Sequence, residues 1–319
     1  MLQQLDEIEL ELQVGVAKVS KYATRESGDT LELTERPHGG LSLVLADGQR
    51  SGRAAKIISA LVARKAIALL GEGVRDGAAA RATHDYLRTH RQGQVSAELS
   101  IVSLDLMTRT VVISRNTHCP VFILSQEGLQ VWNEPSEPIG IHAGIKPVIT
   151  ELPVVANTWV VVFTDGVLEA GQRFGASFDI TTWITTHLCR APVPLRHSAK
   201  SAERSSGDAG SLAAACRGER PERGCSPAKG AGWSTDSDSG ERGAQQWRAQ
   251  GGVSGRGIEY RGPGEQDAEA LANAILAHAI ELDQNRPQDD MSVLVLALLP
   301  LQSTDHARRL TVRFPVPPI

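Results

Sequence analysis

The sequence predicts an α+β protein built on mainly antiparallel sheet, with the helices grouped in pairs. Strand-like segments follow one another without an intervening helix from Glu98 to Leu124, and helix-like segments come in twos rather than alternating with single strands. A third observation bounds the domain: residues 191–265 differ in composition from everything around them.

The first element, Glu9 to Val16, alternates polar and apolar residues with period two, as a half-buried strand does. Leu41 to Ala46 is an apolar run that stops at Asp47-Gly48, a strand entering a turn. From Ala54 to Leu70, Ile57, Ile58, Leu61, Val62 and Ala66 share one helical face while Arg64 and Lys65 lie outside it. A second helix runs from Ala78 to His90 after Gly77. Strands follow at Glu98–Met107, Thr110–Arg115 and Val121–Leu124, with Thr108-Arg109 as a tight hairpin turn between the first two. Trp159–Thr164 and Met291–Leu299 are the last strands, the latter preceded by helical spacing at Leu271, Ile275, Leu276 and Ala279.

The segment 191–265 holds 14 of the 30 glycines, 10 serines and only five Val, Ile or Leu residues. So little apolar surface cannot offset the entropy of ordering the chain, and the segment reads as a disordered insertion. Helical spacing on either side (Ile180, Trp183, Ile184, His187, Leu188 before it) makes it an expanded loop between two helices of one domain. The expected organisation is therefore domain 1–190, insertion 191–265, domain 266–299 and an extended tail 300–319. Eleven Lys and Arg against nine Asp and Glu give the insertion a charge of +2, so the other 244 residues carry −6 of the net −4.

Composition excludes several classes. No basic face offers itself to nucleic acid and no polybasic run to a membrane. Cys119, Cys189, Cys216 and Cys225 show no C-x-x-C spacing, which points to a reducing cytoplasm, and Cys216 and Cys225 lack companions for zinc. The N-terminus has no signal-peptide pattern, and no apolar run approaches the ~18 residues of a spanning helix.

Four aspartates stand out because each borders an apolar strand segment: Asp29 in Ser27-Gly28-Asp29, Asp47 before Gly48, Asp165 before Gly166, and Asp289 before Asp290-Met291. One such residue commonly starts an Asx-turn. Four together suggest convergence at a sheet rim, where like charges need a cation. All-oxygen ligation selects Mg²⁺ or Mn²⁺, and two such ions can activate water and clamp a phosphoryl oxygen.

These residues carry a family resemblance. Ser27-Gly28-Asp29, Leu45-Ala46-Asp47-Gly48 with Gly52 and Ala54-Ala55, Thr164-Asp165-Gly166 with Glu169-Ala170, and Asp289-Asp290-Met291-Ser292 occur in the order that resembles the PP2C-type metal-dependent phosphatases. Within them the chain is similar to the bacterial SpoIIE/RsbU/RsbX branch, whose Asn-x-Pro region is similar to Asn116-Thr117-His118-Cys119-Pro120. The resemblance covers residues 8–190 and 266–299. It implies an αββα sandwich with two Mn²⁺ or Mg²⁺ ions in a cleft at one end of the sheets. By matching positions, Asp47 would bridge both metals with the Gly48 carbonyl on one, Asp165 and Asp289 would bind one metal, and Asp29 would support the other. An activated water would then attack a phosphoserine or phosphothreonine without a phosphoenzyme. The branch implies a phosphorylated STAS-type anti-anti-sigma protein, or a similar partner-switching component, as substrate. Because the sequence starts at the catalytic domain, it is expected to be closer to the stand-alone RsbX-like arrangement than to relatives that carry an N-terminal sensor or membrane module.

Arg50 stands where the family's loop usually has glycine, and is a candidate for the substrate phosphate together with Arg25. His118 is the candidate leaving-group acid; His38 and His142 read as structural or surface residues, and Cys119 and Cys189 as buried apolar ones. An alternative reading is a pseudophosphatase that binds partners and turns over poorly, and a further one makes residues 191–265 a docking arm.

Overall fold

The computed structural model describes residues 9–37, 39–188, 267–301 and 308–309. His38, the expected insertion 191–265 with its Cys216, Cys225, Trp233 and Trp247, and most of the tail lie outside the described residues, as does Cys189.

The chain runs β1 (Leu10–Val19), β2 (Asp29–Glu35), β3 (Gly40–Gly48), α1 (Gly52–Gly71), α2 (Asp76–His90), β4 (Ala97–Asp105), β5 (Thr110–Asn116) and β6 (Val121–Ser125). It continues through β7 (Gly128–Trp132), β8 (Val148–Pro153), β9 (Thr158–Phe163), the short α3 (Asp165–Leu168), α4 (Ile180–Leu188), α5 (Ala268–Leu282) and β10 (Met291–Pro300). Two five-stranded sheets result, ordered β1-β10-β9-β6-β7 and β2-β3-β4-β5-β8, and every pairing is antiparallel. The α+β class expected from the sequence is what the chain adopts.

Strand periodicity explains the layering. Along β3, Leu43 and Leu45 join the cluster between the two sheets, while Val44 and Ala46 face α1 and α2. Along β10, Leu294, Leu296 and Leu298 lie between the sheets, and Val293, Val295 and Ala297 lie with Ile184 and Ile275 of α4 and α5. In β9, Val160 and Val162 take the inner face and Trp159, Val161 and Phe163 the helix face. A strand apolar on both faces is buried on both, which is why these segments read as continuous apolar runs. Three core clusters fill the three interfaces of an αββα sandwich.

Several sequence expectations need correction. The strand expected over Glu98–Met107 ends at Asp105, and the two-residue turn is a four-residue loop, 106–109, with Asp105 paired to Thr110. Asp105 Oδ1 accepts from Met107 N at 2.8 Å and Thr108 N at 3.3 Å, an Asx-turn that stops the ladder early. Strands β7 and β8 were not expected: both are half-buried edge strands whose apolar alternation is weak. Ile57, placed on the apolar face of α1, is 51% exposed.

Helix α5 starts where Asp267 accepts from Ala270 N at 2.6 Å, an N-cap that satisfies one of the orphan amides. Its first residue lies on β1 so closely that a Cβ on Gly15 would stand 1.9 Å from the Ala268 carbonyl oxygen. Gly15→Ala must therefore push α5 off the sheet. The expected cost is about 1–3 kcal/mol, read as a lower urea midpoint at unchanged m-value; an unchanged midpoint would contradict this packing.

Candidate metal centre

The inner faces of both sheets turn from apolar to polar at one end. Period two carries Leu43 and Leu45 into Asp47, Leu33 and Leu31 into Asp29, and Leu104 and Val102 into Glu98. The register then sets Asp29 directly opposite Asp47, and Asp47 directly opposite Glu98, so three acids stand abreast on one face of three strands. The facing sheet supplies Thr164 at the end of β9 and Ser292 in β10. Asp165 follows Thr164, and its carboxyl is hydrogen-bonded to that of Asp47.

Asp29 is fully buried. Its Oδ2 accepts from Ser292 Oγ at 2.6 Å and Thr164 Oγ1 at 3.1 Å, while Oδ1 is buried without a hydrogen-bond partner among the described residues. Two ammonium groups reach its main-chain carbonyl, Lys18 Nζ at 2.6 Å and Lys56 Nζ at 2.9 Å. Burial holds the Lys18 ammonium below the usual lysine range, with the nearby Lys56 charge adding to the effect. Sequence reasoning missed both lysines, and Glu98 as well. The place of Lys56 near the start of α1, after the Asp-Gly loop, was the available signal for its own contact.

Electrostatics reflects this crowding. Burial first, then the charges of Asp29, Asp165 and Glu98, push Asp47 well above the ordinary carboxylate range. Asp165 is raised too, by burial and then by Glu98 and Asp289, though its hydrogen bond with Asp47 opposes the shift. Asp29 is raised by burial, with Asp290 adding to it and Ser292 and Lys18 opposing. Without a cation these acids hold protons that water would ordinarily remove.

Of the residues singled out from sequence, Asp29, Asp47 and Asp165 are brought together, and Asp289 acts on Asp165 by its charge. Asp289 is partly buried and its Oδ1 accepts from Asp290 N at 2.8 Å. Its neighbour Asp290 is spent on the fold, accepting from Gly28 N at 2.8 Å and Lys21 N at 3.0 Å. Gly48 is required by close approach: a Cβ there would lie 2.1 Å from the Ala55 carbonyl oxygen. His118 lies on the crossing from β5 to β6, half exposed, with Nδ1 against Glu98 Oε1. Glu98 Oε2 accepts from Thr117 Oγ1 at 2.5 Å, and Cys119 beside it is buried as expected. Arg25 and Arg50 are exposed and, among the described residues, bond to none of these acids; Arg50 has φ +74°. His142 is an exposed loop residue.

Oxygen donors, a buried carboxylate oxygen without a partner and mutually raised carboxyls fit hard divalent cations. The carboxylates that could hold them are those of Asp29, Asp47, Asp165 and Asp289.

Two antiparallel sheets between helix pairs, with acids at one end of the shared core, define the PP2C-like fold class. A family model described as Stage II sporulation protein E (SpoIIE) matches residues 37–204, more than half of the chain, and the chain belongs to that family. By sequence, no curated protein matches it. Among solved structures, it is similar to the PP2C phosphatase domain of the cell-fate determinant SpoIIE from Bacillus subtilis, solved with a fragment of its regulatory domain. That match has a TM-score of 0.60 and 14% identity, over 92% of this chain and 65% of that one. The RsbU and RsbW domains of a Mycobacterium tuberculosis protein match with TM-score 0.56 and 12% identity, over 93% of this chain and 62% of that one. The catalytic domain of the serine/threonine protein phosphatase PstP, in complex with two manganese ions, matches with TM-score 0.53 and 10% identity, over 91% and 100%. The chain thus spans just under two thirds of the first of these.

Because native Asp47 and Asp165 bind protons more tightly than the unfolded chain does, stability of the metal-free protein should fall as pH rises above the ordinary Asp value of 3.8. Thermal melts from about pH 5 to pH 8 should show a falling midpoint that Mn²⁺ reverses. Asp47→Asn should raise the metal-free midpoint near neutrality, at about 2–4 °C per kcal/mol relieved. A midpoint independent of both pH and substitution would contradict the described crowding.

Proposed function

We propose that this protein is a metal-dependent protein serine/threonine phosphatase that hydrolyses phosphoserine or phosphothreonine with two Mn²⁺ or Mg²⁺ ions. The observation that carries the reading is the convergence of Asp29, Asp47 and Asp165 at the end of the inter-sheet core, with Asp29 Oδ1 left without a partner. In this reading Asp47 and the Gly48 carbonyl would help to hold both ions. Asp165 and Asp289 serve one ion and Asp29 the other. When bound, such a pair supplies a more acidic water and a clamp for the phosphoryl oxygens.

The chain's own groups do the positioning. Ser292 and Thr164 fix the Asp29 carboxylate through Oδ2, which leaves Oδ1 directed to a ligand. Lys18 and Lys56 hold the same residue by its carbonyl and offset part of the local negative charge. Glu98 orients His118 through Nδ1, so that Nε2 can hold the proton given to the departing serine or threonine oxygen. Arg25 and Arg50, exposed on the loops that flank Asp29 and Gly48, supply positive charge for an incoming phosphate.

The substrate is proposed to be a phosphorylated partner-switching regulator of the STAS type, acting in the cytoplasm. The family of the chain and its likeness to a protein carrying RsbU and RsbW domains support this. No helix among the described residues is long and apolar enough to cross a membrane.

Hydrolysis of an aryl phosphate and of a phosphoserine protein should require Mn²⁺ or Mg²⁺ and stop on chelation. Asp47→Ala and Asp165→Ala should each lower kcat/KM by about three orders of magnitude or more, roughly 4 kcal/mol of barrier. His118→Ala should slow phosphoprotein hydrolysis by about 10²-fold while sparing an aryl phosphate with a good leaving group. Metal binding without any turnover would instead favour a partner-binding pseudophosphatase.

A further inference from the structure

Beside the row of aspartates lies a second donor set of different chemistry. Glu98, His118 and Cys119 each direct one ligand atom into the same space, and the three atoms all lie within 4.8 Å of one another. Glu98 comes from the start of β4, whereas His118 and Cys119 come from the crossing between β5 and β6, so tertiary structure assembles the set. We propose that Glu98, His118 and Cys119 form a binding site for a borderline-soft divalent cation, zinc in the first instance, separate from the aspartate centre.

Three features make this a built site. The first is separation. A tetrahedral ion with a sulfur at ~2.3 Å and an oxygen at ~2.1 Å places those atoms about 3.6 Å apart. Cys119 Sγ stands 4.0 Å from Glu98 Oε2, a few tenths of an ångström from that spacing. The second is support behind the donors. Arg115, itself buried, donates from Nη1 to the Cys119 carbonyl at 2.9 Å, and Thr117 Oγ1 accepts from Cys119 N at 3.0 Å while donating to Glu98 Oε2. Such outer partners hold ligand side chains in position. The third is access. The His118 side chain is 51% exposed while Cys119 is buried, so an ion enters past the imidazole and leaves a fourth position open to water.

The donor types separate this site from its neighbour. The aspartate centre offers oxygen alone and suits Mg²⁺ or Mn²⁺, whereas thiolate with imidazole selects zinc or cobalt. Binding needs no oxidant: the Cys119 S–H bond breaks, its proton passes to water, and the sulfur lone pair forms the bond to the ion. His118 exchanges its contact with Glu98 for the metal, so the metal-bound state and the state in which Glu98 orients His118 as an acid are alternatives.

The test uses Co²⁺ as a spectroscopic probe on the full-length chain, with Cys189, Cys216 and Cys225 replaced by serine. Asp47→Asn and Asp165→Asn are added to remove the neighbouring centre. One equivalent of Co²⁺ should produce a near-ultraviolet thiolate-to-cobalt charge-transfer band, and Zn²⁺ should displace it. Cys119→Ser should abolish the band. His118→Ala, at a half-exposed position that leaves the core intact, should weaken Co²⁺ binding beyond the roughly 10–100-fold typical of losing an outer partner. Absence of the band, its survival in Cys119→Ser, or unchanged affinity in His118→Ala would overturn the proposal. None of these readings depends on phosphatase activity, so failure here and failure of the phosphatase reading are distinguishable.

Discussion

The structure is organised by a conflict between packing and charge at one edge of a shared core. The inner faces of the two sheets are dry and apolar along most of their length, and the same strands that supply leucine and valine there end in carboxylates. Antiparallel register places Asp29, Asp47 and Glu98 side by side. Cross-strand neighbours of like charge are unfavourable even on a surface, and here burial amplifies the repulsion. The arrangement holds because the rest of the sandwich fixes it: β3 packs Leu43 and Leu45 between the sheets and Val44 and Ala46 against the helices, and a shift of one residue would exchange the two sets and carry Asp47 to the helix side. The acids are carried into proximity by packing made elsewhere.

The protein answers this conflict with ordinary polar chemistry. Ser292 and Thr164 reach across from the opposite sheet to one carboxylate oxygen, so the two sheets are joined by hydrogen bonds as well as by dispersion. Asp290 ties the loop between β1 and β2 to the start of β10 through two amides, although it sits beside an acid proposed for the metals. Adjacent aspartates thus differ, Asp290 accepting from loop amides while the charge of Asp289 acts on Asp165.

Much of this was legible in the sequence, for physical reasons. Apolar runs bounded abruptly by aspartate marked β3, β9 and β10, because a strand buried on both faces gives way to polar residues at the rim. The same logic found Asp29, Asp47 and Asp165. It did not find Glu98, which stands between Ala97 and Leu99 with no glycine or second acid beside it to mark a turn. Lys18 and Lys56 were invisible because their contacts join residues 11 and 27 positions apart through backbone rather than through a charged pair. Strands β7 and β8 escaped because edge strands need little apolar alternation. Ile57 misled for the opposite reason, since helical spacing shows that a face exists but not how wide a neighbour covers it.

Arg50 follows the Asp47-Gly48-Gln49 turn in a left-handed backbone conformation that glycine enters freely. For a residue with a Cβ that conformation costs about 1–2 kcal/mol. Yet a glycine there would also give the unfolded chain more states to lose on folding, worth about 0.4–1 kcal/mol. The two quantities partly cancel. An arginine therefore stands in this loop at small net cost to the fold, its side chain exposed, while the freedom of the loop that carries Gly48 has narrowed. Positions of this kind, where strain and disorder nearly offset each other, are where a rigid scaffold can change the charge it presents without redesigning the core behind it.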